Sequence, residues 1–170
     1  MAFIRFVHLF SFVFWYGTLL FFTFIQAPLL FKTLPRETFG LVQSKLFPAY
    51  YLISYICGTL LVLTYHLLHP LRNYVVQDCV KISALLLMLL LSLAQGLWNG
   101  PKVAQLRIER QAAEESKDPA RLEVLRAEFG KAHGISSLLN LFVILSGTVY
   151  FFFLLRDFHP PASLKNLLGI

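Results

Sequence analysis

The chain has 170 residues, of which 57% are apolar or aromatic and only 14% carry a charge, and its formal net charge is +6. This composition excludes an ordinary soluble domain and favours one membrane domain. The basic residues lie in loops that flank apolar runs, so we expect a lipid bilayer as the partner of this positive charge and no nucleic acid.

The first apolar run extends from Phe6 to Phe31, contains no charged residue, and lies between Arg5 and Lys32. As a helix, about 26 residues reach roughly 39 Å, which is enough to cross the hydrocarbon core with some tilt. A secretory signal peptide fits less well, because the run is too long and no small-residue cleavage site follows it. The run therefore predicts the first transmembrane helix, at about 6–31.

The junction from Leu34 to Tyr51 reads LPRETFGLVQSKLFPAYY and predicts an amphipathic interfacial helix before the second span. Pro35 suits the first turn of a helix, and Glu37 complements the helix dipole there. Pro48 lacks a backbone donor, so we expect a bend near Ser44 to Pro48. If the protein has a partner-binding surface, we expect it on this face. The polar residues that we would test there first are Arg36, Gln43 and Lys45.

Three further apolar runs predict spans at about 49–68, 78–98 and 135–155. Gly96 and Gly100, near the end of the third, have the spacing of small residues that allow close helix packing. Asn140 lies inside the last run, where an amide needs a partner, so we expect it to face other helices. The four runs together predict an all-α membrane protein with four transmembrane helices in an antiparallel bundle.

Most of the charged residues lie between Pro101 and Lys131, where the chain becomes soluble in character. Good helix formers fill the first half of this segment, and Asp118 and Pro119 are suited to cap and open a second helix. The segment therefore predicts a soluble helical hairpin at about 101–132, between the third and fourth spans. We expect His133, which follows it, to cap or anchor the last span.

Four spans place both termini on one side of the membrane. Of the 15 Lys and Arg residues, ten lie on the side of the junction and the hairpin and five on the opposite side. The positive-inside rule then predicts that the junction and the hairpin face the cytoplasm or its organellar equivalent. Both termini are expected on the non-cytoplasmic side, in a membrane that the sequence does not identify.

Two stretches resemble a known family. The junction and the pattern F-x3-HGISSLLN, from Phe129 to Asn140, are similar to the transmembrane protein 205 family. The resemblance extends over most of the chain and is weakest in the charged hairpin. It implies a small four-span helical membrane protein of a family with no settled enzymatic activity or cofactor.

His8, Trp15 and Gly17 form the pattern H-x6-W-x-G in the first span. It is similar to the opening helix of four-helix membrane proteins of the copper-resistance D type and of the haem-associated protoporphyrinogen oxidase J type. His8 and His66 fall at similar depths in antiparallel neighbours, so this pair could hold haem b between two helices. Interfacial or packing roles for both histidines stay open as the alternative.

Other chemistries have less support in the sequence. The apolar cores contain no charged residue of the kind that proton-coupled carriers use, which disfavours transport of a small solute. Four amides could line a neutral path, although hydrogen bonding between helices explains them more simply: Gln26, Gln95, Asn99 and Asn140. We identify no catalytic motif and no Cys or His spacing typical of a zinc site.

The sequence therefore favours a non-enzymatic multi-pass membrane protein without a cofactor, in contact with other membrane protein subunits. Its expected role is that of an accessory, assembly or trafficking factor or of a subunit of a larger membrane complex. A four-helix membrane protein that binds haem or another metal is the alternative.

Overall fold

The computed structural model of the protein describes residues 1–69 and 75–158. Four helices in these ranges are long and apolar enough to cross a membrane. They are α1 (Ala2–Thr33), α2 (Arg36–Leu68), α3 (Val76–Glu115) and α4 (Pro119–Phe158). The prediction of an all-α membrane protein with four spans is confirmed.

Side chains from all four helices meet in one core. The fully buried residues include Trp15 of α1, Leu61 of α2, Met88 of α3 and Val143 of α4. Consecutive helices pack against each other, and α1 meets α4 along a shorter interface, so the bundle is closed. Many Leu, Ile, Val and Phe side chains remain exposed on the outer faces, as expected for helices whose solvent is lipid.

Helices α1 and α3 each contain one π-helical turn, at Phe22–Gln26 and Gln95–Asn99. A proline follows two residues after each turn, at Pro28 and Pro101. Proline lacks a backbone donor, and its ring crowds the carbonyl four residues earlier. A π-turn shifts the hydrogen-bond ladder by one residue, which accommodates the proline without ending the helix.

Helix α2 continues without interruption through Pro48, so the interfacial helix predicted before the second span is not a separate element. Its residues form the first turns of α2. The loss of one hydrogen bond does not end this helix of 33 residues, because most helical stability in a packed bundle comes from contacts with neighbouring helices. Pro48 is also exposed, so its ring displaces no packed side chain.

The charged hairpin is present as a continuation of α3 and α4. Residues 100–115 and 119–134 form two antiparallel arms, joined at Ser116–Asp118, and we call residues 100–134 the stalk. Asp118 Oδ1 accepts a hydrogen bond from the backbone N–H of Arg121 at 3.0 Å, as its predicted capping role requires. The arms share a small core of their own: Leu106, Ala113, Leu125 and Ala132.

The capping role predicted for His133 is wrong, because α4 begins at Pro119 and His133 lies inside this helix. Its exposed ring stacks on Phe129, with the ring centroids 6.0 Å apart and the planes 2° from parallel. The hydroxyl of Ser137 donates to the carbonyl of His133 at 3.0 Å. The pattern HGISSLLN is therefore a stretch of continuous helix that joins the stalk to the last span.

Candidate functional site

Polar side chains that bond between helices, most of them buried, form two groups, and each group takes residues from all four helices. We call the group toward the chain termini the terminal cluster: His8, Thr64, Tyr65, Asp78, Lys81, Tyr150 and Asp157. We call the group toward the stalk the amide layer: Thr23, Gln26, Gln43, Gln95, Asn99, Ser136 and Asn140.

In the terminal cluster, His8 connects three helices through its two ring nitrogens. Its Nδ1 lies 2.7 Å from Thr64 Oγ1, and its Nε2 is hydrogen-bonded to the hydroxyl of Tyr150. Thr64 donates its own proton to the carbonyl of Leu60 at 2.6 Å, so it accepts from the Nδ1–H of His8. The Nε2 then accepts from Tyr150, and both nitrogens of this buried histidine are occupied within the protein.

This geometry bears on the predicted pairing of His8 with His66. His8 faces Thr64 and Tyr65, whose ring centroid lies 6.2 Å from that of the imidazole. His66 leaves α2 about 200° around the helix from Thr64. A haem iron would also need a nitrogen of His8 that now bonds to Thr64 or Tyr150. The haem hypothesis therefore gains no support from these contacts.

A metal site built from three or more ligating side chains has no support either. Within residues 1–69 and 75–158, no group of three or more His, Cys, Asp and Glu is placed to hold a metal ion. Of the two cysteines, Cys57 is buried and Cys79 is exposed, and both are free thiols.

Lys81 places a buried positive charge in the same cluster. It is 4% exposed, and its Nζ lies 2.9 and 2.7 Å from the two carboxylate oxygens of Asp157. Asp78 Oδ1 lies 3.9 Å from the same ammonium group and accepts the hydroxyl of Tyr65 at 2.8 Å. Asp78 Oδ2 accepts the N–H of Val75 at 3.1 Å. These bonds connect the end of α2, the start of α3 and the end of α4.

Asp78, Lys81 and Asp157 belong to no functional motif of the sequence, and we predicted no role for them. Two opposite charges three residues apart begin the third span, and a further acid follows the fourth apolar run. Because adjacent spans are antiparallel, these positions meet at one end of the bundle. The placement of these three charges at the ends of neighbouring spans was the feature of the sequence from which the ion pairs could have been predicted.

In the amide layer, Gln26 and Gln43 pair across the α1–α2 interface, with Nε2 of Gln26 donating to Oε1 of Gln43 at 2.9 Å. Both side chains are buried, so the prediction that Gln43 lies on a partner-binding surface is wrong. The apolar stripe of a membrane helix can face lipid, and it is the polar side chain that faces the other helices. Arg36 and Lys45 are exposed.

Asn140 Nδ2 donates to Thr23 Oγ1 at 2.9 Å, so its predicted contact with another helix is confirmed. Thr23 and Gln26 both belong to the π-turn of α1. The hydrogen bonds of Gln26 and Asn140 therefore meet α1 at neighbouring positions, and they connect it to α2 and to α4.

The interface of α3 and α4 completes the amide layer. Asn99 Nδ2 donates to the carbonyl of Ala132 at 3.0 Å and to Ser136 Oγ at 2.6 Å. Gln95 Nε2 donates to the carbonyl of Ser136 at 2.6 Å. Gln95 and Asn99 belong to the π-turn of α3, as Gln26 belongs to that of α1. All four amides that could have lined a neutral path thus make hydrogen bonds between helices.

Much of the amide layer lies in a segment with a known sequence family. The family described as a domain of unknown function (DUF4149) matches residues 10–112, which extend from α1 into the first arm of the stalk. The chain belongs to the DUF4149 family. The matched segment contains Gln26, Gln43, Gln95 and Asn99.

A second comparison extends the likeness of this DUF4149 chain beyond the matched segment. The chain is 25% identical over 173 residues to Transmembrane protein 205 of Danio rerio, across 89% of this chain and 92% of that protein. The resemblance predicted from the sequence is thereby confirmed. No solved structure matches the chain significantly.

Proposed function

We propose that this DUF4149 protein acts without catalysis, through contacts with another membrane protein. Its role would be that of an accessory, assembly or trafficking factor or of a subunit of a larger membrane complex. The buried polar groups support a structural role, because the side chains of both groups form hydrogen bonds and ion pairs between helices. The stalk is the part of the chain that we propose as the docking element.

The observation that carries this proposal is an apolar strip on the outer half of the stalk. Val124 is 59% exposed although it lies in a charged arm. Ala120 and Ala127 are also exposed, and they stand four residues before and three residues after Val124, on the same helical face. Small apolar residues at this spacing suit close contact with a helix of a partner.

The charges around the strip support the same proposal. Within the described residues of the stalk, one ion pair has a distance of 4.0 Å or less, between Arg126 and Glu114 at 3.5 Å. Exposed charged residues beside the strip, such as Arg121, Glu123 and Glu128, can pair with complementary charges of a partner and fix the register of docking.

The test is co-purification of the full-length protein from its native membrane in polymer-bounded lipid particles. We expect one stoichiometric protein partner with the unchanged chain and its loss with Val124→Gln/Ala127→Gln. Ala112→Gln, at an exposed position of the other arm, is the matched control and should retain the partner. Purification as a lone chain, or retention of the partner by the strip variant, would contradict the docking proposal.

A further inference from the structure

Two arginines of the first stalk arm have buried donor groups without acceptors. Nε of Arg107 and Nε of Arg110 are both buried, and neither has a hydrogen-bond partner within the described ranges. Both residues are partly exposed, so the rest of each guanidinium group can bind an oxyanion, which would compensate for the Nε–H that is shielded from water.

The stem of Arg107 and the guanidinium group of Arg110 each contact a neighbouring helix. Arg107 crosses α2 at Gly40, where an added Cβ would lie 3.1 Å from Cδ of the arginine. The guanidinium carbon of Arg110 lies 5.0 Å from the centroid of the Phe129 ring on α4. We call Arg107, Arg110 and the turn of α2 at Gly40, against which Arg107 packs, the basic crevice. Its geometry depends on Gly40, because a side chain there would displace Arg107.

The crevice has an excess of positive charge. In residues 1–69 and 75–158, the ion pairs within 4.0 Å involve Lys81 and Arg126 and neither of these two arginines. Glu109, which lies between the two arginines on α3, accepts a hydrogen bond from Gln105 at 2.8 Å. Glu37 lies in the first turn of α2. The exposed Lys32 and Arg36 add two positive charges where α1 ends and α2 begins.

The crevice lies at the depth of the lipid headgroups. Lys102 is the first charged residue after the apolar run of α3, and Arg107 follows five residues later. At a rise of 1.5 Å per residue this separation is about 7.5 Å. The headgroup region of one leaflet is roughly 5–8 Å thick. This places the backbone of Arg107 near the outer edge of the headgroup region, and that of Arg110 about 4.5 Å further out, so that their long side chains can reach a lipid phosphate.

We infer that the basic crevice binds the phosphodiester headgroup of an anionic phospholipid. A guanidinium binds two phosphate oxygens at once, which a lysine does not do. Basic pockets between helices at this depth favour anionic headgroups. A lipid fits better than a free phosphate because exposed apolar residues at the end of α1 and the start of α2 can contact acyl chains: Leu29, Phe31 and Leu41.

The experiment measures retention of phosphatidylglycerol by the full-length protein in phosphatidylcholine nanodiscs, with native mass spectrometry as the readout. We expect retention to fall about tenfold or more in Arg107→Gln/Arg110→Gln, because charge-assisted hydrogen bonds are lost. Lys117→Gln/Arg121→Gln removes the same charge from the exposed tip of the stalk and should leave retention unchanged.

A second variant separates the geometry of the crevice from its charge. Gly40→Leu keeps both arginines but places a side chain where Arg107 lies, so we expect it to weaken retention as well. If the double arginine variant fails to fold, Gly40→Leu provides the test on its own. Unchanged retention in the crevice variants, or an equal loss in the tip variant, would overturn the inference. Displacement of the lipid by equimolar glycerol phosphate would assign the crevice to free phosphate instead.

Discussion

Lys81 Nζ lies 2.7 Å from Asp157 Oδ2, so a carboxylate at the end of α4 neutralises a buried ammonium group at the start of α3. We expect Asp157→Ala to lower the free energy of unfolding by about 1–3 kcal/mol, less than the ~3–5 kcal/mol of a fully buried pair. The loss is smaller because the Asp157 side chain is 43% exposed and Asp78 still lies 3.9 Å from the ammonium group. Thermal unfolding in detergent measures the difference.

The control removes both charges of this pair. Lys81→Met/Asp157→Leu leaves no uncompensated ammonium group in the bundle, so it should be more stable than Asp157→Ala alone. A double variant no more stable than the single variant would show that the ion pair is not what Asp157 contributes.

Tyr150 donates to His8 and holds α4 against α1, and this bond yields the second prediction. Tyr150→Phe should destabilise the protein by about 1 kcal/mol, the scale of hydrogen bonds between membrane helices. Tyr16→Phe is the matched control, since the hydroxyl of Tyr16 bonds to Thr148 at 2.7 Å in a more exposed position. Equal unfolding temperatures for the two variants would contradict the role given to His8.

The visible spectrum of the same preparations tests the haem alternative. Because both nitrogens of His8 are bonded inside the protein, we expect a gently purified sample to show no Soret band. A Soret band that disappears in His8→Ala and His66→Ala would instead favour haem binding and count against a purely structural role of this histidine.

Gly96 allows α3 to approach α2. An added Cβ there would collide with the hydroxyl of Tyr55 and would lie 2.8 Å from Cγ of Tyr51. Gly96→Ala should therefore destabilise the protein by about 1–3 kcal/mol, the typical cost of overpacking. Gly17→Ala is the control: no atom lies within 4 Å of its added Cβ, so we expect a neutral or slightly stabilising effect. The same unfolding temperature for both variants would contradict the close packing at Gly96.

The buried pair of Gln26 and Gln43 makes a prediction about stability rather than partner binding. Gln43→Leu removes the acceptor of Gln26 and should cost about 1–3 kcal/mol, because a buried donor is left unsatisfied. Gln26→Leu/Gln43→Leu should recover much of this loss, since neither polar group remains. Loss of a co-purifying partner in a fully stable Gln43→Leu protein would contradict this structural role and support partner binding by Gln43.

The number of spans could be predicted from the sequence because it depends on the length of apolar runs, which is a local property. The inward direction of Asn140 was also predictable, since an amide inside an apolar run needs a partner from another helix. The direction of Gln43 was not, because its apolar neighbours suggested a buried stripe that in a bilayer can face lipid.

Contacts that depend on register between distant helices were beyond the sequence. The bond between His8 and Tyr150 joins residues 142 positions apart, and periodicity within one helix does not determine their relative height. The continuity of α2 through Pro48 has a similar cause, because packing along the whole helix outweighs a local missing donor. Among these contacts, the ion pairs of Lys81 could have been predicted, because opposite charges lie at the ends of adjacent spans.

The orientation of the stalk yields the last prediction. Ten basic residues on the side of the junction and the stalk, against five on the other side, favour a cytoplasmic stalk. In a Cys79→Ser background, which removes the exposed native thiol, Ser116→Cys reports on the tip of the stalk and Ser163→Cys on the tail beyond the described residues. An impermeant maleimide should label these two cysteines from opposite sides of a sealed membrane. Equal labelling from one side would require an odd number of spans and would overturn the four-span topology, whereas labelling with reversed sides would overturn only the orientation.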